Sequence, residues 1–191
     1  MECVCRTVRA GSLKRFGVPL VAVAAMWATA VAVQARTTSS DGPTVLGVYK
    51  DWSAYSRGTG DSKVCYALST PKAKEPASVK RDPTYFLVND WPGRRSKAEA
   101  EVVPGYPYRE GSTVTVEIDK QKFVFFTKND GGAGGAWVLN PADQEHLLRA
   151  LRAGVTAVVT GVSRRGTTTK DVYGLSGVGE AMNRIHDACD M

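Results

Sequence analysis

From residue 44 onward the apolar positions come in short runs, each broken by a turn signal. The clearest is 113–118, where Val114, Val116 and Ile118 alternate with Thr113, Thr115 and Glu117. Strict period-two alternation puts one set on each face of a half-buried strand. Asp119-Lys120 then makes a tight turn, and 121–127 returns with Phe123, Val124, Phe125 and Phe126, so the two segments predict a hairpin. Similar runs predict strands over 46–55, 63–69, 84–89 and 98–103 before it, and over 136–139, 155–162 and 171–175 after it.

Two segments leave the strand period. Asn140 is an N-cap residue, Pro141 suits the first helical position, and Asp143 falls in the first turn. Leu147, Leu148 and Leu151 supply an apolar face, Arg149 and Arg152 close the last turn, and Gly154 stops the helix. A second helix is predicted over 178–189, where Val178, Met182, Ile185 and Cys189 fall on one face. Many short strands about ten residues apart, with no βαβ alternation, predict a mainly β, antiparallel sandwich or barrel with two short helices, one of them C-terminal.

The N-terminus follows a different pattern. Arg6, Arg9, Lys14 and Arg15 stand against the lone acid Glu2, residues 16–35 carry no charge, and the run closes on Val33-Gln34-Ala35. A basic start, an apolar middle and a small-residue exit are the parts of a secretory signal, with cleavage expected after Ala35. A retained anchor is the alternative, since 20 uncharged residues can just span a bilayer. Gly17, Pro19 and the many alanines make it a weak span. Residues 36–43 are small and polar and are expected to be a disordered lead-in, which leaves 44–191 as a single domain. The mature chain is expected in the periplasm, released or associated with the outer surface, and in contact with a membrane only through the uncleaved signal.

Export changes the reading of the cysteines. Cys3 and Cys5 precede the apolar run and leave with it, whereas Cys65 and Cys189 remain. An even count in an oxidising compartment predicts a Cys65–Cys189 disulfide rather than two unrelated buried thiols. Closing a loop over 124 positions stabilises by roughly 4–5 kcal/mol in the chain-entropy account. Charge also changes. The signal holds four of the 25 basic and one of the 19 acidic residues, so the net charge of +6 falls to +3 over 156 residues. No basic stripe remains to attract nucleic acid.

No catalytic constellation assembles, and no enzyme activity, metal, nucleotide or other cofactor is expected. His146 and His186 lie on the predicted helices, away from any ligand spacing, and read as helix-surface residues. The stretch 161–166 is one residue too long for a nucleophile elbow and reads as a turn. The glycines of 131–135 lack the lysine and hydroxyl residue of a phosphate loop and read as a flexible hairpin loop. Trp52 and Trp137 are expected in the core. Trp91, Tyr106 and Tyr108, with the pair Arg164-Arg165, form the candidate interaction surface. A non-enzymatic binding protein is therefore the first functional reading. The rival is an envelope hydrolase using carboxylates such as Asp51 or Asp171, for which a clustered carboxylate pair in a cleft would be the mark.

Several blocks carry a resemblance when read together: Asp51-Trp52; Val64-Cys65-Tyr66-Ala67-Leu68-Ser69; Gly105-Tyr106-Pro107-Tyr108; Lys122-Phe123-Val124-Phe125-Phe126; Ala136-Trp137; Gly161-Val162-Ser163-Arg164-Arg165-Gly166-Thr167; and Asp171-Val172-Tyr173-Gly174 ahead of a helix ending at Cys189. In this order they resemble the invasion-associated locus B family of alphaproteobacterial exported proteins, across nearly the whole mature chain. The resemblance implies an immunoglobulin-like sandwich, a role in host interaction or envelope integrity, and no assigned catalytic residues. Two departures stand out. Lys50 precedes Asp51 where the family commonly has glycine, and no cysteine follows Trp52, so a second mature disulfide is absent.

Overall fold

The computed structural model describes residues 42–191. The signal segment, its cleavage point and residues 36–41 lie outside the described residues. In chain order the strands are β1 (Thr44–Tyr49), β2 (Trp52–Arg57), β3 (Val64–Ser69), β4 (Ala73–Glu75), β5 (Tyr85–Trp91), β6 (Ser96–Val103), β7 (Thr113–Ile118), β8 (Gln121–Asp130), β9 (Ala133–Val138), β10 (Thr156–Val162) and β11 (Thr168–Gly174). The helices are α1 (Gln144–Ala153) and α2 (Val178–Cys189).

Antiparallel ladders join the strands in the order β1-β2-β3-β5-β6-β9-β8-β7-β10-β11-β4. One junction is weak. β6 and β9 are in register only at Glu101↔Trp137 and Val102↔Ala136, and there the sheet bends into two facing layers. Trp52 and Phe86 of one layer meet Tyr173 of the other, with Phe86 and Tyr173 edge to face at 5.6 Å. The far edges are clasped as well: the Trp52 indole N–H donates to the Gly174 carbonyl at 3.0 Å, and Asp51 N donates to Ser176 O at 3.1 Å. The expected sandwich is thus a single sheet folded over its own apolar face, with the helices closing one end.

The 113–118 strand and the 178–189 helix form as expected. The expected strand over 46–55 is instead β1 and β2, because Lys50, at φ 53°, turns the chain in the left-handed region without a glycine or proline to signal it. β4 escapes the apolar pattern altogether, being three exposed residues paired to the edge of β11. The glycine run is a hairpin turn only at Gly131 and Gly132. Gly134 and Gly135 are buried within β9, and a Cβ on Gly135 would overlap the Trp137 ring.

Asn140 caps as expected, its side-chain oxygen accepting from Ala142 N at 3.2 Å across a short 3-10 turn that leads into α1. α2 starts at Gly177, which sits at φ +91° where a Cβ would overlap the Tyr49 carbonyl. Its apolar face packs on β1, β2 and β3, and Cys189 is bonded to Cys65 with Cα atoms 6.0 Å apart. Among the described residues no helix is long and apolar enough to cross a membrane.

Candidate functional site

At the end of the sandwich opposite the helices, two turns and a loop meet. The β10–β11 hairpin turns at Ser163–Gly166: Ser163 N donates to Thr167 O at 2.9 Å and Gly166 N to Ser163 O at 2.8 Å, which leaves Arg164 and Arg165 exposed at its tip. The Tyr106–Tyr108 segment is held beside it. Arg164 N donates to Pro107 O at 2.8 Å, and the Asn129 side chain bonds both Tyr108 N and Tyr108 O, at 2.8 and 2.9 Å. Between them lies a cleft of about 470 Å³, lined by Lys80, Arg81, Tyr106, Arg164, Arg165 and Thr169 among others, with Asp82 its single acid.

The cleft has a charged but neutralised floor. Arg81 binds Asp171 with two parallel hydrogen bonds, Nη1 to Oδ2 at 2.9 Å and Nη2 to Oδ1, and both side chains are only 2% exposed. The bonded carboxylate holds the Arg81 guanidinium above its ordinary value, against the cost of burial. Tyr106 bonds Thr169 Oγ1 at 2.6 Å and lies under the Arg81 guanidinium. Burial pushes the Tyr106, Tyr108 and Tyr173 phenols up, so none is a base near neutrality. The positive charge offered to solvent is therefore that of Lys80, Arg164 and Arg165.

The five residues expected to form one surface divide. Tyr106, Arg164 and Arg165 converge on this cleft. Tyr108 is core, 1% exposed, because the Asn129 clamp turns its ring inward against Tyr106 and the backbone of Gly134 and Gly161. Trp91 lies at the helix end of β5, in a separate groove on the outer face of the β6–β9 seam. That groove, of about 710 Å³, holds Trp91, Glu99, Glu101, Phe126, Lys128 and Trp137. Trp52 is fully buried as expected. Trp137 is not core: it is half-buried on the outer face, beside Phe126 with ring centroids 5.8 Å apart.

The groove owes its shape to β6. Ala98, at φ 54°, breaks the regular course of β6 where the β5–β6 register shifts between Asn89 and Trp91. Its N–H donates to the buried Asp90 carboxylate at 2.7 Å, and its carbonyl accepts from the Gln144 amide. The other Asp90 oxygen bonds His186 Nδ1 at 2.6 Å. His186 is thus not merely a surface residue: it ties α2 to β5. His146, by contrast, is exposed with its ring edge against Phe123. Burial raises the Glu101 carboxyl; an Asn89 hydrogen bond opposes this and the nearby Glu99 charge adds to it.

The two acids of the hydrolase reading stand apart, each committed to its own cation. Asp51 pairs with Lys72 at 2.9 Å, and Asp171 lies beneath Arg81. Among the described residues no cluster of three or more His, Cys, Asp or Glu side chains could hold a metal. Sequence reasoning missed Lys80 and Arg81, in a loop without periodicity, and the Asp90–His186 pair, 96 positions apart. Glu99 and Glu101 did carry a signal: alternate positions on a strand share a face.

Comparison with known proteins now bears on this geometry. The family model described as Invasion associated locus B (IalB) protein matches residues 52–186. The chain belongs to that family. The match spans the seam, both grooves and all but the end of α2. A crystal structure of invasion associated protein B from Bartonella henselae shares the fold at a TM-score of 0.53 and 15% sequence identity, covering 78% of this chain and 99% of that one. No curated protein matches the chain. Family membership supports an invasion-associated protein and assigns no molecular activity.

Proposed function

We propose that the chain is an exported binding protein, periplasmic or surface-associated, which serves host interaction or envelope integrity by capturing an anionic partner. One observation carries this reading: the basic loop-end cleft. Arg81 is already neutralised by Asp171, yet Arg164 and Arg165 remain unpaired among the described residues and share the cleft with Lys80 and the hydroxyls of Tyr106 and Thr169. Cations over a low-dielectric wall attract anions and steer their approach. The signal pattern and the Cys65–Cys189 bond support residence in an oxidising compartment.

The test is titration with a sulfated dextran, with neutral dextran as control. The double substitution of Arg164 and Arg165 by Ala lies at an exposed turn and leaves the core untouched. It should weaken sulfated-dextran binding by roughly tenfold and flatten its salt dependence. Unchanged affinity would remove the cleft from the reading. Export is checked separately, by an N-terminus at Arg36 in protein from a periplasmic fraction.

Hydrolysis by paired carboxylates is the second reading, and one observation favours it: Glu99 and Glu101 do share a groove. They stand on one face of one strand, however, whereas glycoside hydrolysis needs its two carboxylates flanking the scissile bond. The arrangement suits binding better than cleavage.

A further inference from the structure

The seam groove is chemically unlike the basic cleft. Its floor carries aromatic surface. The Trp137 ring lies against the Gly135 backbone, where any side chain would displace it, and Phe126 beside it is 41% exposed. Trp91 forms the helix-end wall, with the Arg94 guanidinium 4.4 Å from its ring centroid. The Trp91 indole N–H is buried without an acceptor. Polar groups stand between the rings: Glu99, Glu101 and Lys128 line the groove. A second depression of about 550 Å³ continues it toward the loop end, sharing Glu101, Lys128 and Trp137.

Three partner classes fit poorly. An acyl chain would strip water from Glu99, Glu101 and Lys128 and return no hydrogen bonds. An added β-strand would need free backbone groups on β6, but the Ala98 N–H and carbonyl are taken by Asp90 and Gln144. A polyanion would meet Glu99 and Glu101, and a polycation would meet Arg94, Lys97 and Lys128, so the mixed lining favours a ligand of neither sign. What fits is a ligand with flat apolar faces and hydroxyl edges, which is the surface of a pyranose ring. An extended run of such rings suits a long open groove better than a helical one.

We propose that the seam groove binds an uncharged, β-1,4-linked oligosaccharide, its sugar faces stacked on Trp137 and Trp91 and its hydroxyls bonded to Glu99, Glu101 and Lys128. At Trp91 a sugar takes the place of Arg94 over the ring face. The Glu99 and Glu101 carboxylates each offer acceptor oxygens to sugar hydroxyls, and the Lys128 ammonium offers donors. The site shares no residue with the basic cleft, so each stands or falls separately.

The experiment is calorimetric titration of the purified protein with cellotetraose and tetra-N-acetylchitotetraose, with maltotetraose as the α-linked control. Tryptophan fluorescence provides a parallel readout. At least one β-linked probe should bind, and Trp137→Ala and Trp91→Ala should each weaken it by roughly tenfold or more. The paired substitution Glu99→Gln and Glu101→Gln, which keeps the size and part of the hydrogen bonding, should weaken it less. The Arg164 and Arg165 alanine variant should bind it as the wild type does. Thermal midpoints close to wild type show that the tryptophan variants still fold. If Trp137→Ala does unfold the protein, the same test passes to Arg94→Ala, which uncovers Trp91 and should change the affinity. No binding of either β-linked probe at millimolar concentration, equal binding of maltotetraose, or binding indifferent to the Trp91, Trp137 and Arg94 substitutions would each overturn the proposal.

Discussion

Removing the cation at the floor of the basic cleft should be far more damaging than removing its pair. Asp171 points inward from β11, is 2% exposed, and has both oxygens bonded to Arg81. In Arg81→Met the carboxylate keeps its burial and loses its donors. An uncompensated buried charge of this kind costs about 3–5 kcal/mol. In Asp171→Leu the stranded group is Arg81, which lines the cleft and also reaches the Pro104 carbonyl at 3.4 Å. That guanidinium can turn toward water, so the loss should be smaller, about 1–3 kcal/mol. With both replaced, neither charge is left buried, and apolar groups of similar volume should hold stability within about 1 kcal/mol of the wild type. The singles then exceed the double by a coupling of about 3 kcal/mol or more. Equilibrium urea denaturation with the disulfide intact measures this as shifts of midpoint at constant slope. A cost under about 1 kcal/mol for Arg81→Met, or a double variant that loses the sum of the two singles, would refute the coupling.

Three further outcomes are expected. Cys189→Ser or reduction should lower stability by about 2–5 kcal/mol. α2 should stay docked, because His186 still bonds Asp90 at 2.6 Å, Lys63 Nζ bonds Ala188 O at 2.5 Å, and Val178, Met182 and Ile185 stay buried. Thermal melts with and without reductant, read with helix-specific hydrogen exchange, check both parts, and two free thiols in the unfolded, unreduced protein would refute the bond. Glu101→Gln should alter the pH profile. A carboxyl raised in the native state holds more protons there than when unfolded, so its stabilisation is complete below its ordinary value of 4.5 and is lost as pH rises through the native value. Stability curves of the two proteins should therefore diverge, in favour of the variant, as pH rises from 4.5 through the native value, and curves parallel over that window would contradict burial of the carboxyl. Gly177→Ala should cost more than about 1 kcal/mol, because it combines a left-handed conformation with a collision against the Tyr49 carbonyl; a thermal midpoint like the wild type's would show that the β1–α2 contact yields.

The sequence by itself determined the local elements and the disulfide. Alternation placed Val114, Val116 and Ile118 on one face, and helical spacing set Val178, Met182, Ile185 and Cys189 in line, because these periods follow from backbone geometry within a few residues. It also brought out Arg164 and Arg165 at a turn tip. Whatever depended on distant segments was decided by the tertiary structure. Lys50 makes a turn that no residue type announced, since docking of Asp51 on Ser176 holds it. Tyr108 went to the core and Trp137 to the outer face because Asn129 clamps one and Gly135 makes room for the other. Trp91 was separated from Tyr106 because β5 carries it to the opposite end of the sandwich. The seam groove exists because Ala98 is kinked by Asp90 and Gln144, and Asp90 is itself held by His186 from the last helix. Each of these contacts joins residues far apart in the chain, where periodicity carries no information and only the folded sheet brings them within reach.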